Sequence, residues 1–247
     1  MRGGRVRFRS ADATGGRGRG IRQGARSGAG PIRGALDLVL SAAAMPVVVV
    51  PGTNGNATVT TLISLMLERS GLRAPAVGNI GRVALEATSE PVDALVIEAS
   101  SFQRFTVTAS FAPAVAVMLN LADEHLDWHG SFSEYAAAKA NAWTFQSMDD
   151  LLVFNLDDPL VVDLVQTAAS RRIGFTLHQP PSGAVGWDRG TLVGADGSVV
   201  VGEVDQPAWE PHERANIAAA AAAALSLGAT ADGITLALKE FTRLHHR

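Results

Sequence analysis

The chain has 247 residues, 47% of them apolar and 18% charged, which excludes a disordered polymer and leaves room for one sizeable α/β domain or two small ones. It contains no cysteine, so a disulfide scaffold, a thiolate zinc site, an iron–sulfur cluster and a Cys nucleophile are all excluded, and with aromatics at 6% the core must be mostly Ala, Val and Leu. The net charge is −3, but residues 1–30 hold eight arginines and nine glycines against one acid, Asp12, so the rest of the chain is distinctly acidic, at about −10. An acidic body argues against a nucleic-acid partner.

The Gly/Arg-rich stretch 1–30 has no lysine and no aromatic interleaving, and it reads as a basic, disordered arm. Residues 31–45 read as a linker with a short helix over Ile32–Ala44. The longest largely apolar run, Leu38–Val50, contains Ser41 and Pro46 and is too short to span a bilayer. No charged segment leads into an apolar signal core, so a cytoplasmic protein without a membrane partner is expected. Met45–Val50 is a β-branched strand of the kind buried on both faces of a parallel sheet. A helix over Ala57–Ser70 follows, then short strands near Ala76–Val77, Ala94–Ile97 and Ala114–Leu119. Next come a helix over Phe132–Phe145, a strand at Leu151–Phe154, a helix over Leu160–Ser170 and a strand at Arg172–Phe175. Strands alternating with helices predict an α/β fold with a doubly wound, mainly parallel sheet flanked by helices. After Gln179-Pro180-Pro181, the turn Ala195-Asp196-Gly197 between Thr191–Val193 and Ser198–Val201 predicts a small β-hairpin addition. An alanine-rich helix over Glu210–Leu227, stopped by Gly228, and a helix over Ala231–Phe241 complete the pattern.

One turn carries chemistry. Gly52-Thr53-Asn54-Gly55-Asn56-Ala57-Thr58 joins a buried strand to a helix, where backbone N–H groups at the helix start can face an anion. A working phosphate loop adds a lysine for the outer phosphates and then a Ser or Thr hydroxyl for magnesium. Asn56 and Ala57 stand at those positions.

The turn GTNGNAT resembles the G-T-N-G-K-[ST]-T loop of the Mur ligase family except at those two residues. The resemblance continues through GNIG (Gly78–Gly81), EASSFQ (Glu98–Gln103), LNLADEHLDWHGSFSEYAAAKA (Leu119–Ala140) and HERANIAAAAAAALSLGA (His212–Ala229). The E-x-S-S-F-Q signature with H-L-D-x-H-G-S and A-A-K is similar to the D-glutamate-adding branch. The resemblance implies a central ATP-binding domain over residues 46–240. GPIRGALDLVL (Gly30–Leu40) is similar to the connection leaving a first, UDP-sugar-binding domain. FTRLHHR (241–247) is similar to the truncated start of a third, ligase domain.

The resemblance also implies site roles. ATP and Mg2+ are the implied cofactors, with Glu98, His125 and Lys139 as the catalytic, magnesium-holding groups, the lysine through carbamylation. Gly52, Thr53, Asn54, Gly55, Asn56, Ala57 and Thr58 would cradle phosphate, with Asn216 at adenine and Arg247 at the ATP phosphates. Asn79, Ser100 and Gln103 would face substrate, a UDP-sugar peptide precursor. Each has a plainer reading. Glu98 is an exposed strand-end acid, Lys139 a solvated helix lysine, and His125 with His129 a zinc pair lacking a third ligand. Two departures stand out: Glu124 replaces the usual Asp before His125, and Glu213 the usual Asn after His212.

The function implied is ATP-dependent addition of D-glutamate to UDP-N-acetylmuramoyl-L-alanine in peptidoglycan synthesis. Nucleotide binding is expected to be weakened by Asn56 and Ala57, and the chain alone is expected to be inactive. Two alternatives remain open: a non-catalytic nucleotide-binding or interaction module, completed by a separate chain supplying the other domains, or the remnant of a truncated gene.

Overall fold

The computed structural model describes residues 43–51, 54–78, 91–98, 112–121, 132–202 and 209–245. Continuous apolar runs form the inner strands: β1 (Val47–Val50), β3 (Leu95–Glu98), β4 (Val115–Met118) and β5 (Leu151–Asn155), with β2 (Ala76–Gly78) at one edge and β6 (Arg171–Thr176) beyond β5. These six are parallel, in the order β2-β3-β1-β4-β5-β6.

Side chains alternate between two cores, because successive strand residues point to opposite faces. Val48, Val50, Val96, Val115 and Val117 enter one core, where α1 (Asn56–Arg69) supplies Val59, Leu62, Ile63 and Met66. Val47, Val49, Leu95, Ile97 and Met118 enter the other, with Tyr135 of α2 (Phe132–Ala140) and Val161 of α3 (Pro159–Leu164). Two covered faces are what allow near-continuous apolar strands.

The first core is closed by α4 (Pro211–Ser226) and α5 (Ala231–His245). Pro211 at the first helical position and a reciprocal capping box between Glu210 and Glu213 start α4. Gly228, at φ 97°, ends it as the Ala229 N–H returns to the Ala224 carbonyl. Ala218–Ala224 are all 2% exposed or less, so this helix is apolar all round and embedded. Arg69 of α1 pairs with Glu240 of α5 at the surface.

Several elements differ from expectation. The helix expected through Phe145 leaves regular α geometry after Ala140. The Ala142 and Trp143 N–H groups bond three residues back, and the Thr144 hydroxyl donates to the Ala140 carbonyl. Helix α3 ends at Leu164 in a 3-10 turn (Val165–Thr167) rather than at Ser170, because Ser170 is drawn into a buried polar staple. Its hydroxyl donates to the Gln146 Oε1, while the Gln146 Nε2 donates to the carbonyls of Pro113 and Leu151. The final helix runs four residues past Phe241. The expected hairpin is a three-stranded addition: β7 (Val185–Asp188) pairs parallel with β6, then antiparallel with β8 (Thr191–Val193), which pairs with β9 (Val199–Val201). Gly186 interrupts the apolar run that would have announced β7. A Cβ there would lie 2.6 Å from the His178 carbonyl oxygen, so the gap is sterically required. The helix expected over Ile32–Ala44 lies largely outside the described residues, as does the arm 1–30.

Among the described residues, no helix is long and apolar enough to cross a membrane.

Candidate functional site

Strand β1 leads through α1 toward β2 on one side, and β4 continues to β5 on the other, so the chain diverges between the carboxyl ends of β1 and β4. Open α/β sheets bind ligands at such a divergence. The Asn54 N–H donates to the Asn120 Oδ1 at 3.0 Å, and the Asn120 Nδ2 donates back to the Asn54 carbonyl at 2.9 Å. One carboxamide beyond β4 thereby holds the turn beyond β1 by both backbone groups of a single residue.

Gly55 follows at φ 89° as the N-cap of α1. A Cβ at Gly55 would come within 2.6 Å of the Asn216 Oδ1, the end of a side chain that can turn aside, so it is the left-handed backbone that requires glycine. Asn56 and Ala57 begin the helix itself, one residue earlier than predicted.

Behind this turn is a cleft of about 270 Å³. Asn54, Gly55 and Thr58 line one wall, Asn120 and Asn155 the strand ends, Phe175 the floor from β6, and His212 and Asn216 the first turns of α4. Asn155 is fixed by donating from Nδ2 to the Leu119 carbonyl at 2.9 Å. The lining contains no lysine or arginine among the described residues. Larger but more open grooves lie elsewhere, one beside α3 and β6 and one at the amino edge of β2 and β3.

Glu98 ends β3 in register with Val50 of β1 and Gly78 of β2. Gly78 (φ 109°) leaves no room for a Cβ against the Glu98 carbonyl oxygen, so the two strand ends are in direct contact. Among the described residues the Glu98 Oε2 is buried without a hydrogen-bond partner, and burial raises its pKa above the ordinary carboxylate value. An unmet carboxylate oxygen suits a hard cation, whereas Ala57 offers no oxygen. No three His, Cys, Asp or Glu gather into a metal-ion cluster among the described residues.

Lys139 is 2% exposed in the last turn of α2, with its ammonium 4.8 Å from the ring centroid of buried Tyr135. That overturns the reading of a solvated surface lysine. Gly52, Thr53, Asn79, Ser100, Gln103, His125 and Arg247 lie outside the described residues.

Asn155 and Phe175 carry no mark of a site in the sequence, and Asn120 and His212 stand there only within their motifs. The available signal for the two asparagines was a polar residue ending or closely following an apolar strand, at the edge where α/β sheets bind ligands. The ring of Trp187 on β7 lies 4.5 Å from the Arg214 guanidinium of α4, and its indole N–H donates to the Arg214 carbonyl at 2.9 Å.

The model of the Mur ligase middle domain matches residues 50–224. UDP-N-acetylmuramoylalanine--D-glutamate ligase of Bifidobacterium adolescentis is 40% identical over 220 residues, covering 80% of this chain and 45% of that protein. The protein of the same name from Corynebacterium diphtheriae is 40% identical over 212 residues, covering 81% and 43%. The chain thus spans about half the length of the curated relatives it matches. Among solved structures, the MurF ligase of Thermotoga maritima in complex with ADP is similar in fold, with a TM-score of 0.61 at 20% identity, over 81% of this chain and 50% of that one. With the parallel sheet, the turn after β1 and the family match in agreement, this chain belongs to the Mur ligase family, of which it carries the middle domain.

Proposed function

We propose that the chain is the nucleotide-binding part of a ligase of the D-glutamate-adding kind, working in the cytoplasm, with ATP entering the cleft between β1 and β4. In such a reaction the terminal phosphoryl group of ATP passes to the substrate carboxylate, and the amine of D-glutamate displaces it as phosphate, leaving ADP. The observation that carries the reading is the turn clasped by Asn120 beside a cleft lined by Asn155, His212 and Asn216, in a chain of this family. Asn216 would face the base, the turn Gly52–Thr58 the phosphates, and Arg247 their outer end. Magnesium would be held by Glu98 with His125 and carbamylated Lys139, neutralising phosphate charge. Asn79, Ser100 and Gln103 would face the UDP-sugar peptide precursor.

Asn56 and Ala57 favour a second reading, in which the chain alone binds nucleotide weakly and does not turn over substrate. A separate chain supplying the rest of the site is the partner it calls for. An ADP-release assay dependent on D-glutamate and UDP-N-acetylmuramoyl-L-alanine decides between them. Sustained turnover by this chain alone supports the ligase reading outright. Its absence alongside measurable ATP binding supports the nucleotide-binding module.

A further inference from the structure

We propose that Asp158 is a positioning residue for the nucleotide cleft, holding Asn120 in place and, through it, the turn that follows β1. The inference rests on the nucleotide reading above and names the side chains that give the site its shape before a ligand arrives.

The corner between β5 and α3, Asn155-Leu156-Asp157-Asp158, directs its polar side chains at the exits of the neighbouring strands. Asp157 turns to β6, accepting from the Thr176 hydroxyl at 2.6 Å and from the Leu177 N–H at 2.7 Å. Asn155 and Asp158 turn to β4. The Asn155 Nδ2 donates to the Leu119 carbonyl at 2.9 Å, and the Asp158 Oδ2 accepts from the Leu121 N–H at 2.9 Å. Leu119 and Leu121 are the two chain neighbours of Asn120, so the backbone there is held from both sides. Asn120 is the residue whose carboxamide clasps Asn54. A carboxamide sets the shape of a distant turn only while its own backbone stays in place. A backbone N–H bonded to a carboxylate is a short, charge-assisted tether that keeps it there.

The two oxygens of Asp158 have separate tasks. Oδ1 accepts from the Leu160 and Val161 N–H groups and caps α3, just ahead of Pro159 at the first helical position. Capping needs one oxygen, and serine supplies it about as well as aspartate does. Oδ2 does nothing for the helix, since its bond runs to Leu121, 37 residues away. Only a side chain with two acceptor oxygens meets both partners at once. The backbone at Asp158 is extended, at φ −108° and ψ 105°, a conformation open to serine and threonine. The cap and the tether can therefore be separated by substitution.

Asp158→Ser keeps the cap and drops the tether. The test is calorimetric titration of the full chain with ATP in excess Mg2+, for wild type, Asp158→Ser, Asn120→Ala and the double variant. NMR amide exchange at Asn54 without ligand is its second readout. Asp158→Ser should weaken ATP about fivefold, and should add no further loss once Asn120→Ala has cut the route. The Asn54 N–H should exchange about fivefold faster or more in Asp158→Ser, while the amides of β1 keep their protection. A merely structural Asp158 would loosen Asn54 and β1 alike, and its loss of affinity would add to that of Asn120→Ala. Unchanged affinity, additive losses, or an Asn54 N–H no faster relative to β1 overturns the inference and leaves the nucleotide reading intact. If wild type binds no ATP while circular dichroism shows a folded chain, the nucleotide reading falls and the inference with it. Should Asp158→Ser fail to fold, Asp158→Thr, which also caps with one oxygen and fills more of the space, is held to the same outcomes.

Discussion

The Asn120 side chain bonds Asn54 the way a neighbouring β-strand would, accepting from its N–H and donating to its carbonyl across 66 residues of sequence. The shape of the turn is thus set from the far side of the crevice. Asn120→Ala leaves both backbone groups to water and frees the turn, at a cost of about 1–3 kcal/mol to whatever needs its shape. Nucleotide affinity should fall about tenfold or more, with Tm lowered by only a few degrees. Asn120→Asp, which can accept but not donate, should fall between. Calorimetry and thermal melts on the three proteins check the order.

The turn should accept the chemistry of an ordinary phosphate loop. Asn56→Lys with Ala57→Thr should tighten ATP binding about tenfold or more, through charge-assisted bonds of roughly 1.5–3 kcal/mol. The gain should require Mg2+ and disappear when Glu98→Ala is added. Titrations of wild type, double and triple variants with a non-hydrolysable ATP analogue check it. No gain in the double variant would mean that the turn is not in phosphate-binding geometry.

Burial of Glu98 makes its charge a cost to the fold. Since the folded pKa lies above the ordinary value of 4.5, the native state holds this proton more tightly than the unfolded chain. Below 4.5 both states are protonated and the effect vanishes; above the folded pKa the ionised carboxylate lowers stability. Glu98→Gln should therefore raise Tm at pH 8 and leave it unchanged at pH 3.5. Melts of both proteins in metal-free buffer across that range test the sign.

The alanine run of α4 leaves no space for a longer side chain. Ala221→Leu adds three carbons at a position with no exposed surface, within the core that α4 shares with α1 and the sheet. The expected cost is about 1–3 kcal/mol, a drop in Tm of roughly 2–12 °C. Differential scanning calorimetry measures both.

How legible this was in the sequence varied with the range of the interaction. Val47–Val50, Leu95–Glu98 and Val115–Met118 were readable because burial on both faces writes an unbroken apolar run into a short segment. Gly55 was readable because a left-handed N-cap after a strand leaves a local mark. The shortening of α3 was not, since it depends on Ser170 meeting Gln146, 24 residues away. Nor was the partnership of Asn120 with Asn54, which needs the strand order before the two can be placed together. Lys139 could be noticed for its rarity, but its burial against Tyr135 depends on which face of α2 meets the sheet.

The indole of Trp187 is joined to the first turn of α4 through the Arg214 carbonyl and lies against the Arg214 guanidinium, while His212, Ala215 and Asn216 of the same turns line the cleft. Any adjustment of that helix start on ligand entry is thus relayed to a fluorophore already in place. Trp143 lies in the opposite core. With Trp128 and Trp209 replaced by phenylalanine, the emission of this protein becomes its own label-free titration signal, usable at concentrations where calorimetric heats are too small to follow.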